Sequence, residues 1–246
     1  MQTETDPHTF DRAVQAMRRA RRIAVLSGAG LSKASGIPTY RDADGLWADP
    51  KALAMAQVEA ITRDYDAFVA FWNAVRSRLD AVQPNAGHHA LVRMQRQWPD
   101  VTQITQNVDG LLQKAGASNV LELHGNLSRD RCDFCEARGP AGLHSHAPHC
   151  APDLRRMRPD VVLFGEPLDH RVLADAGLAA TRCDVFLLVG TSAAVFPAAG
   201  LAEKAEVRGA TIIEINPRPT EKSGLATICL RGNAEDVLPG LVLACQ

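Results

Sequence analysis

Ile23-Ala24-Val25-Leu26-Ser27-Gly28-Ala29-Gly30-Leu31-Ser32-Lys33-Ala34-Ser35-Gly36-Ile37-Pro38 begins as a short apolar run and breaks into a glycine-rich turn. A continuous apolar run of this length reads as a strand covered on both faces. Glycines in the turn let backbone come close to a phosphate, and amides at the start of a following helix would hold its charge. As a dinucleotide fingerprint the turn is incomplete: Lys33 stands where the third glycine of G-x-G-x-x-G falls, and no acidic residue closes a second strand about twenty residues on. Taken alone, it leaves a nucleotide site and an ordinary tight turn both open.

Moving outward, further apolar runs predict strands at 101–105, 120–123, 161–164, 185–189, 211–215 and 227–230. Helical patterns fall at 9–22, 86–97, 110–115, 170–180, 197–207 and 234–243. This alternation predicts an α/β fold with a doubly wound, Rossmann-type parallel sheet. The first helix shows one face through Phe10, Val14 and Met17, and Arg18, Arg19, Arg21 and Arg22 are expected to offset the negative end of its dipole. Two stretches break the alternation. Residues 42–83 read as helices around Phe68, Phe71, Trp72, Val75 and Leu79, and residues 130–158 are rich in Cys, His, Pro and Arg. Both are expected to form a smaller module over a main domain made of 1–41, 84–129 and 159–246.

With 246 residues, 46% of them hydrophobic, the chain can bury a full core without external staples. A charged fraction of 22% and a net charge of -1 give no global pull toward DNA or anionic lipid, which disfavours a general nucleic-acid binder. Apolar stretches such as 185–189 fall far short of a membrane span, and the first residues lack the apolar run of a signal peptide. A cytoplasmic protein without membrane contact is therefore expected. Of six cysteines, Cys132 and Cys135 form a tight pair, while Cys183, Cys229 and Cys245 lie in or beside apolar segments that read as core. That distribution suits a metal site in a reducing compartment better than a disulfide framework.

Polar groups gather where strands are expected to end: Thr105-Gln106-Asn107-Val108-Asp109, His124-Gly125, Gly190-Thr191-Ser192 and Asn216-Pro217. Ligands bind at such strand ends in open α/β sheets. One histidine in that position is more often structural than catalytic, but the joint order of these pieces, with 28–41 before them and Phe164-Gly165-Glu166 among them, resembles the sirtuin family over residues 23–239.

The resemblance implies a Rossmann-type domain, a small helical and zinc-binding module, and a cleft between them where NAD meets an acylated lysine. By matching position, NAD would contact Gly28, Ala29, Gly30, Ser32, Ile37, Pro38, Tyr40 and Arg41 from the first loop. It would also contact Gln106, Gly190, Thr191, Ser192, Asn216, Pro217 and Ala234, with Asn107 and Asp109 on the nicotinamide side. His124 would be the general base, with Asn107 beside it in the chemistry. Val162, Phe164, Gly165, Glu166 and Val195 would bind the substrate, the segment 162–166 pairing with its backbone as an added strand. The residue types suit the reaction. Loss of nicotinamide develops positive charge at the ribosyl carbon, the acyl oxygen traps it, and a histidine with an ordinary pKa near ~6.5 can then activate a ribose hydroxyl. The products would be nicotinamide, O-acyl-ADP-ribose and free lysine. Mono-ADP-ribosyl transfer, NAD hydrolysis and a non-catalytic NAD sensor are the alternatives.

Cys132, Cys135 and Cys150 resemble three thiolate ligands of the family's structural zinc, but Asp153 stands where the fourth cysteine belongs. Asp153 or His146 would complete a tetrahedral set, and a degenerate site without metal is the alternative. On the helix before Pro84, the family's desuccinylase-like members carry a Tyr-x-x-Arg pair that grips an acyl carboxylate; the matching positions here are Trp72 and Val75. Arg76, one residue along, is turned by roughly 100° away from the pocket. Neutral acyl groups are therefore expected over succinyl, malonyl and glutaryl.

Overall fold

The computed structural model describes residues 6–39, 45, 48–141 and 156–246. Six strands, β1 (Arg22–Ser27), β2 (Asp100–Thr105), β3 (Leu121–Glu122), β7 (Val185–Val189), β8 (Thr211–Ile215) and β9 (Ile228–Leu230), form one sheet in the order β3-β2-β1-β7-β8-β9. Every pairing in it is parallel. The chain winds outward from β1 to β3 and then returns to the other side of β1 as β7. That reversal opens a crevice at the carboxyl ends of β1 and β7, the switch point where such sheets take ligands.

The unbroken apolar strands are explained by what covers them. Ile23 and Val25 face a core containing Met17 of α1 (Pro7–Arg19), Leu91 of α5 (Ala86–Gln97), Leu112 of α6 (Leu111–Lys114) and Leu238 and Leu241 of α9 (Ala234–Ala244). Ala24 and Leu26 face the other way, into a core with Ala176 and Ala180 of α7 (His170–Arg182) and Leu201 and Ala205 of α8 (Gly200–Val207). Each fully buried Leu, Ile or Phe contributes about 1.5–3 kcal/mol, so the two-sided burial of the sheet dominates the stability. Among the described residues, no helix is long and apolar enough to cross a membrane.

The first helix ends earlier than its pattern suggests. It stops at Arg19, and the amides of Arg21 and Arg22 both donate to the Asp184 carboxylate at 2.8 Å. Only Arg18 and Arg19 therefore sit in the last turn, and Arg22 already belongs to β1. Cys183 is buried as expected, whereas Cys229 and Cys245 are only partly covered.

A second sheet, antiparallel and ordered β5-β4-β6, is built from β4 (Gly125–Arg131), β5 (Arg138–Pro140) and β6 (Arg158–Val161). This corrects the expectation of a main-sheet strand at 161–164. Regular pairing ends at Val161, and 162–164 runs on as an extended segment whose Phe164 bridges Gln57. Gly125 makes the departure feasible: its φ is +83°, and a Cβ there would lie 2.0 Å from the Asp160 carbonyl oxygen. Periodicity reports that 161–164 is buried, not which sheet it joins.

Against the second sheet pack α2 (Pro50–Met55), α3 (Glu59–Arg63) and α4 (Tyr65–Asp80), with Phe68, Val69 and Trp72 buried on Leu127, Val161 and Leu163. Arg76 pins α4 to β4. Its side chain is 4% exposed, and it donates to the carbonyls of Leu127 (2.6 Å) and Arg129 (2.7 Å) while pairing with the fully buried Asp130.

Candidate active site

The crevice is a cleft of about 1010 Å³ running from Gly28–Gly30 across His124 to Phe164 and Asn216. The loop after β1 shapes it differently from the way its glycines suggest. Gly28 N–H donates to Val189 O at 3.0 Å and Gly30 N–H to Gly190 O at 2.8 Å, so these amides are spent on the neighbouring loop. A Cβ on Gly30 would lie 2.8 Å from Gly190, and one on Gly28 2.7 Å from Thr191. The glycines therefore let two loops touch, and the chain continues as two single 3-10 turns (Ala29–Leu31 and Lys33–Ser35), not as a long helix. Ala29 lines the cleft, and its N–H has no partner among the described residues.

Side chains from three strand ends knit this floor together. Gln106 donates to Thr191 Oγ1 at 2.9 Å, and Asn216 donates to the Thr191 carbonyl at 3.0 Å. Gln106, Thr191, Ser192, Asn216, Pro217 and Ala234 all line the cleft. Ile37 and Pro38 do not, whereas Lys33 and Thr39 beside them do. Tyr40 and Arg41 lie outside the described residues.

His124 sits at the turn from β3 into β4. Its Nδ1 is 2.8 Å from the carbonyl of Gln106, an acceptor only, so Nδ1 carries the proton and Nε2 is left as a lone pair. Burial holds its pKa below the ordinary histidine value, partly offset by that hydrogen bond, which keeps the ring neutral near pH 7. A neutral imidazole with a fixed tautomer, lining the cleft, is the form a general base requires.

A second polar chain lies beneath the first loop. Asn107 donates to Gly28 O at 3.0 Å and to Ser32 Oγ at 3.1 Å, and the Ser32 hydroxyl donates to Asp109 at 2.7 Å. Ser32 and Asp109 thus lie one step behind Asn107, which lines the cleft itself. Burial pushes the Asp109 carboxyl above its ordinary value, countered by bonds from Leu111 N–H and Ser32.

His88, which no strand-end reasoning points to, completes this chain. Asn85 N–H donates to its Nδ1 at 3.2 Å, which leaves the proton on Nε2, 3.5 Å from Ser32 Oγ. A sequence signal does exist for it: Asn85 and His88 form a capping box at the start of α5. Its ring is 1% exposed, and burial drives its pKa down to about 4.

On the opposite wall, Val162, Phe164, Gly165, Glu166 and Val195 line the cleft, with Phe164 and Val195 substantially exposed. The exposed Phe196 and the polar His170, Arg218 and Thr220 also line it and were missed. Trp72 reaches the cleft with its indole N–H bound to Met55 O at 3.2 Å, whereas Val75 packs partly buried against the α4 cluster and does not line it. Arg76, held by Asp130, points into the small sheet.

Cys132 is buried and Cys135 exposed on a tight turn closed by Cys132 N–H to Ala137 O (2.9 Å) and Glu136 N–H to Cys132 O (3.0 Å). Cys150, Asp153 and His146 lie outside the described residues. Among the described residues no group of three or more His, Cys, Asp or Glu is placed to hold a metal ion. The two thiols have the chemistry of half a tetrahedral zinc set.

A parallel sheet with a ligand cleft at its switch point and a buried neutral histidine facing that cleft defines a nucleotide-binding α/β enzyme architecture. The model of the Sir2 family matches residues 28–197, and the chain belongs to that family. A Thermus thermophilus protein named NAD-dependent protein deacylase is 42% identical over 92% of this chain and 91% of its own length. A protein of the same name from Aeropyrum pernix is 44% identical over 89% and 90%. The crystal structure of a Sir2 homologue–NAD complex superposes with a TM-score of 0.88 at 35% identity, covering 96% of this chain and 93% of that one.

Proposed function

We propose that the protein is an NAD-dependent protein-lysine deacylase, with NAD consumed as a co-substrate, and that it removes neutral acyl groups in preference to dicarboxylic ones. The observation that carries the reading is His124: a neutral imidazole whose Nδ1–H is occupied by Gln106 and whose Nε2 is free, inside a cleft at the sheet's switch point.

Bound NAD supplies the activated ribosyl carbon. The chain's own groups would do the rest. Gln106, Thr191, Ser192 and Asn216 would hold the dinucleotide across the ends of β2, β7 and β8, and Asn107, backed by Ser32 and Asp109, would face the nicotinamide end. His124 Nε2 would accept the proton of a ribose hydroxyl as that oxygen attacks the captured acyl group. Together, NAD, acyl-lysine and one water give nicotinamide, O-acyl-ADP-ribose and free lysine.

On the substrate side, Phe164 and Val195 would flank the acyl-lysine, and Gly165 N–H, without a backbone partner among the described residues, would pair with the peptide. Trp72 gives the acyl group an apolar wall, and the nearest cation on that helix, Arg76, is fully engaged elsewhere. Zinc in the module that contains Cys132 and Cys135, with Cys150 and Asp153, would be structural. The deciding experiment is mass spectrometry of the products from NAD and an acetyl-lysine peptide. O-acetyl-ADP-ribose in step with deacetylated peptide supports the reading; ADP-ribose alone, or ADP-ribosylated protein, overturns it.

A further inference from the structure

We propose that Arg158 is a positioning residue for the acylated peptide: buried behind the cleft, its guanidinium holds the turn at 163–166 and ties it to the 132–135 loop. This rests on the deacylase reading, with the peptide lying along 162–166.

Arg158 lies in β6 and is 1% exposed, an unusual place for a charge that no catalytic step uses. Its guanidinium is shared in three directions. One terminal nitrogen donates to Val161 O at 3.0 Å, the other pairs with Glu166, and Nε donates to Asp133 at 2.7 and 2.9 Å. Glu166 in turn defines the turn. Its second carboxylate oxygen accepts Leu163 N–H at 2.9 Å, and its own N–H donates to Leu163 O at 3.0 Å, with Gly165 at φ +94° between them. The carboxylate therefore takes the place of a backbone partner for Leu163, and Arg158 sets the direction in which it points. Arg131, 3.4 Å away, adds a weaker contact.

The far end of the fork is Asp133, the residue after Cys132, whose side chain is 52% exposed. A planar fork can hold a carbonyl and two carboxylates at fixed angles, whereas an ammonium is a point charge. Lysine would keep the charge and lose the geometry. No hydrogen bond joins Arg158, Asp133 or Glu166 to Gly28, Gln106, Thr191 or Asn216, so the loss should fall on the peptide and spare NAD.

The test uses the full chain with a fluorescein-labelled acetyl-lysine peptide for anisotropy, and initial rates with NAD varied separately. Arg158→Lys should weaken peptide affinity and raise peptide KM about tenfold, and Asp133→Asn about threefold, with kcat and the KM for NAD within about twofold of wild type. The double variant should be no weaker than Arg158→Lys alone, because both changes break one linkage. Zinc per chain is measured alongside and should not change. Unaltered peptide affinity in Arg158→Lys, or an equal rise in both KM values, overturns the proposal. If Arg158→Lys does not fold, the surface variant Asp133→Asn decides on the same terms. A wild type that binds the peptide but does not deacetylate it overturns the activity reading, while anisotropy still reports on Arg158.

Discussion

Val162 donates its amide to the carbonyl of His124 at 2.9 Å, so the cleft histidine and the segment on which a peptide would lie hang from one residue. The bond is made by backbone, so replacing the imidazole leaves it intact. His124→Ala should lower kcat by about 10²–10⁴-fold while peptide and NAD affinities stay close to wild type. Isothermal titration with NAD, beside the rate assay, separates a lost base from a lost fold; retained turnover would remove His124 from its role.

The pH profile follows from the same ring. A base must be neutral, and burial places the His124 pKa below 6.5. In the free enzyme kcat/KM should therefore be level from pH 8 down to that value and fall only beneath it. A midpoint above 6.5 would show that another group controls the acid limb.

His88 affects stability where His124 affects rate. Its folded-state pKa is about 4 against 6.5 for the free side chain, so between those values the unfolded chain takes up a proton that the folded protein refuses. Stability is full above pH 6.5, falls as pH is lowered through the window, and levels off below 4, a loss of about 3 kcal/mol from this ring. Urea midpoints at pH 7, 6 and 5 should show the decline, with a shallower slope in His88→Gln. Equal slopes in the two proteins would contradict the assignment.

Arg76→Met should cost about 3–5 kcal/mol, because the buried Asp130 carboxylate loses its guanidinium partner in the small sheet. Arg76→Met combined with Asp130→Leu should recover much of it, read from urea unfolding. Equal instability of the single and double variants would mean that the helix–strand contact, not the charge, was lost.

Acyl selectivity is expected to exceed tenfold in kcat/KM for acetyl- over succinyl-lysine on one peptide, since a carboxylate desolvated beside Trp72 would find Arg76, the neighbouring cation of α4, already engaged by β4. Trp72→Tyr with Val75→Arg should gain desuccinylation. Because Val75 does not line the cleft, an arginine there must extend past Trp72 to reach it, and a smaller gain from Val75→Arg alone is expected.

Purified protein should hold close to one zinc per chain, and Cys132→Ser should lose both metal and thermal stability. Less than about a tenth of an equivalent in the wild type would end the zinc assignment.

The sequence was most legible where physics is periodic. Apolar strands such as 185–189 and the 86–97 helix coincide with β7 and α5 because two-sided burial and helical spacing leave direct marks on residue choice. β4 left none: Gly-Asn-Leu-Ser-Arg-Asp-Arg is polar, yet Asn126 and Asp130 are buried, the latter against Arg76, 54 positions away. The strand-end residues Gln106, Asn107, His124 and Thr191 do meet in one cleft. The use of Gly30 was not legible, since its neighbour Gly190 is 160 positions away and contact at that range has no local signature.

Arg76 hangs α4 on three points of β4, an anchor that does not depend on the side chain at Trp72. Trp72 shares that helix but no hydrogen bond with the nucleotide half. With α4 as the proposed acyl wall, trading a few of its residues would retune which modification is read and leave untouched the groups proposed to hold the cofactor.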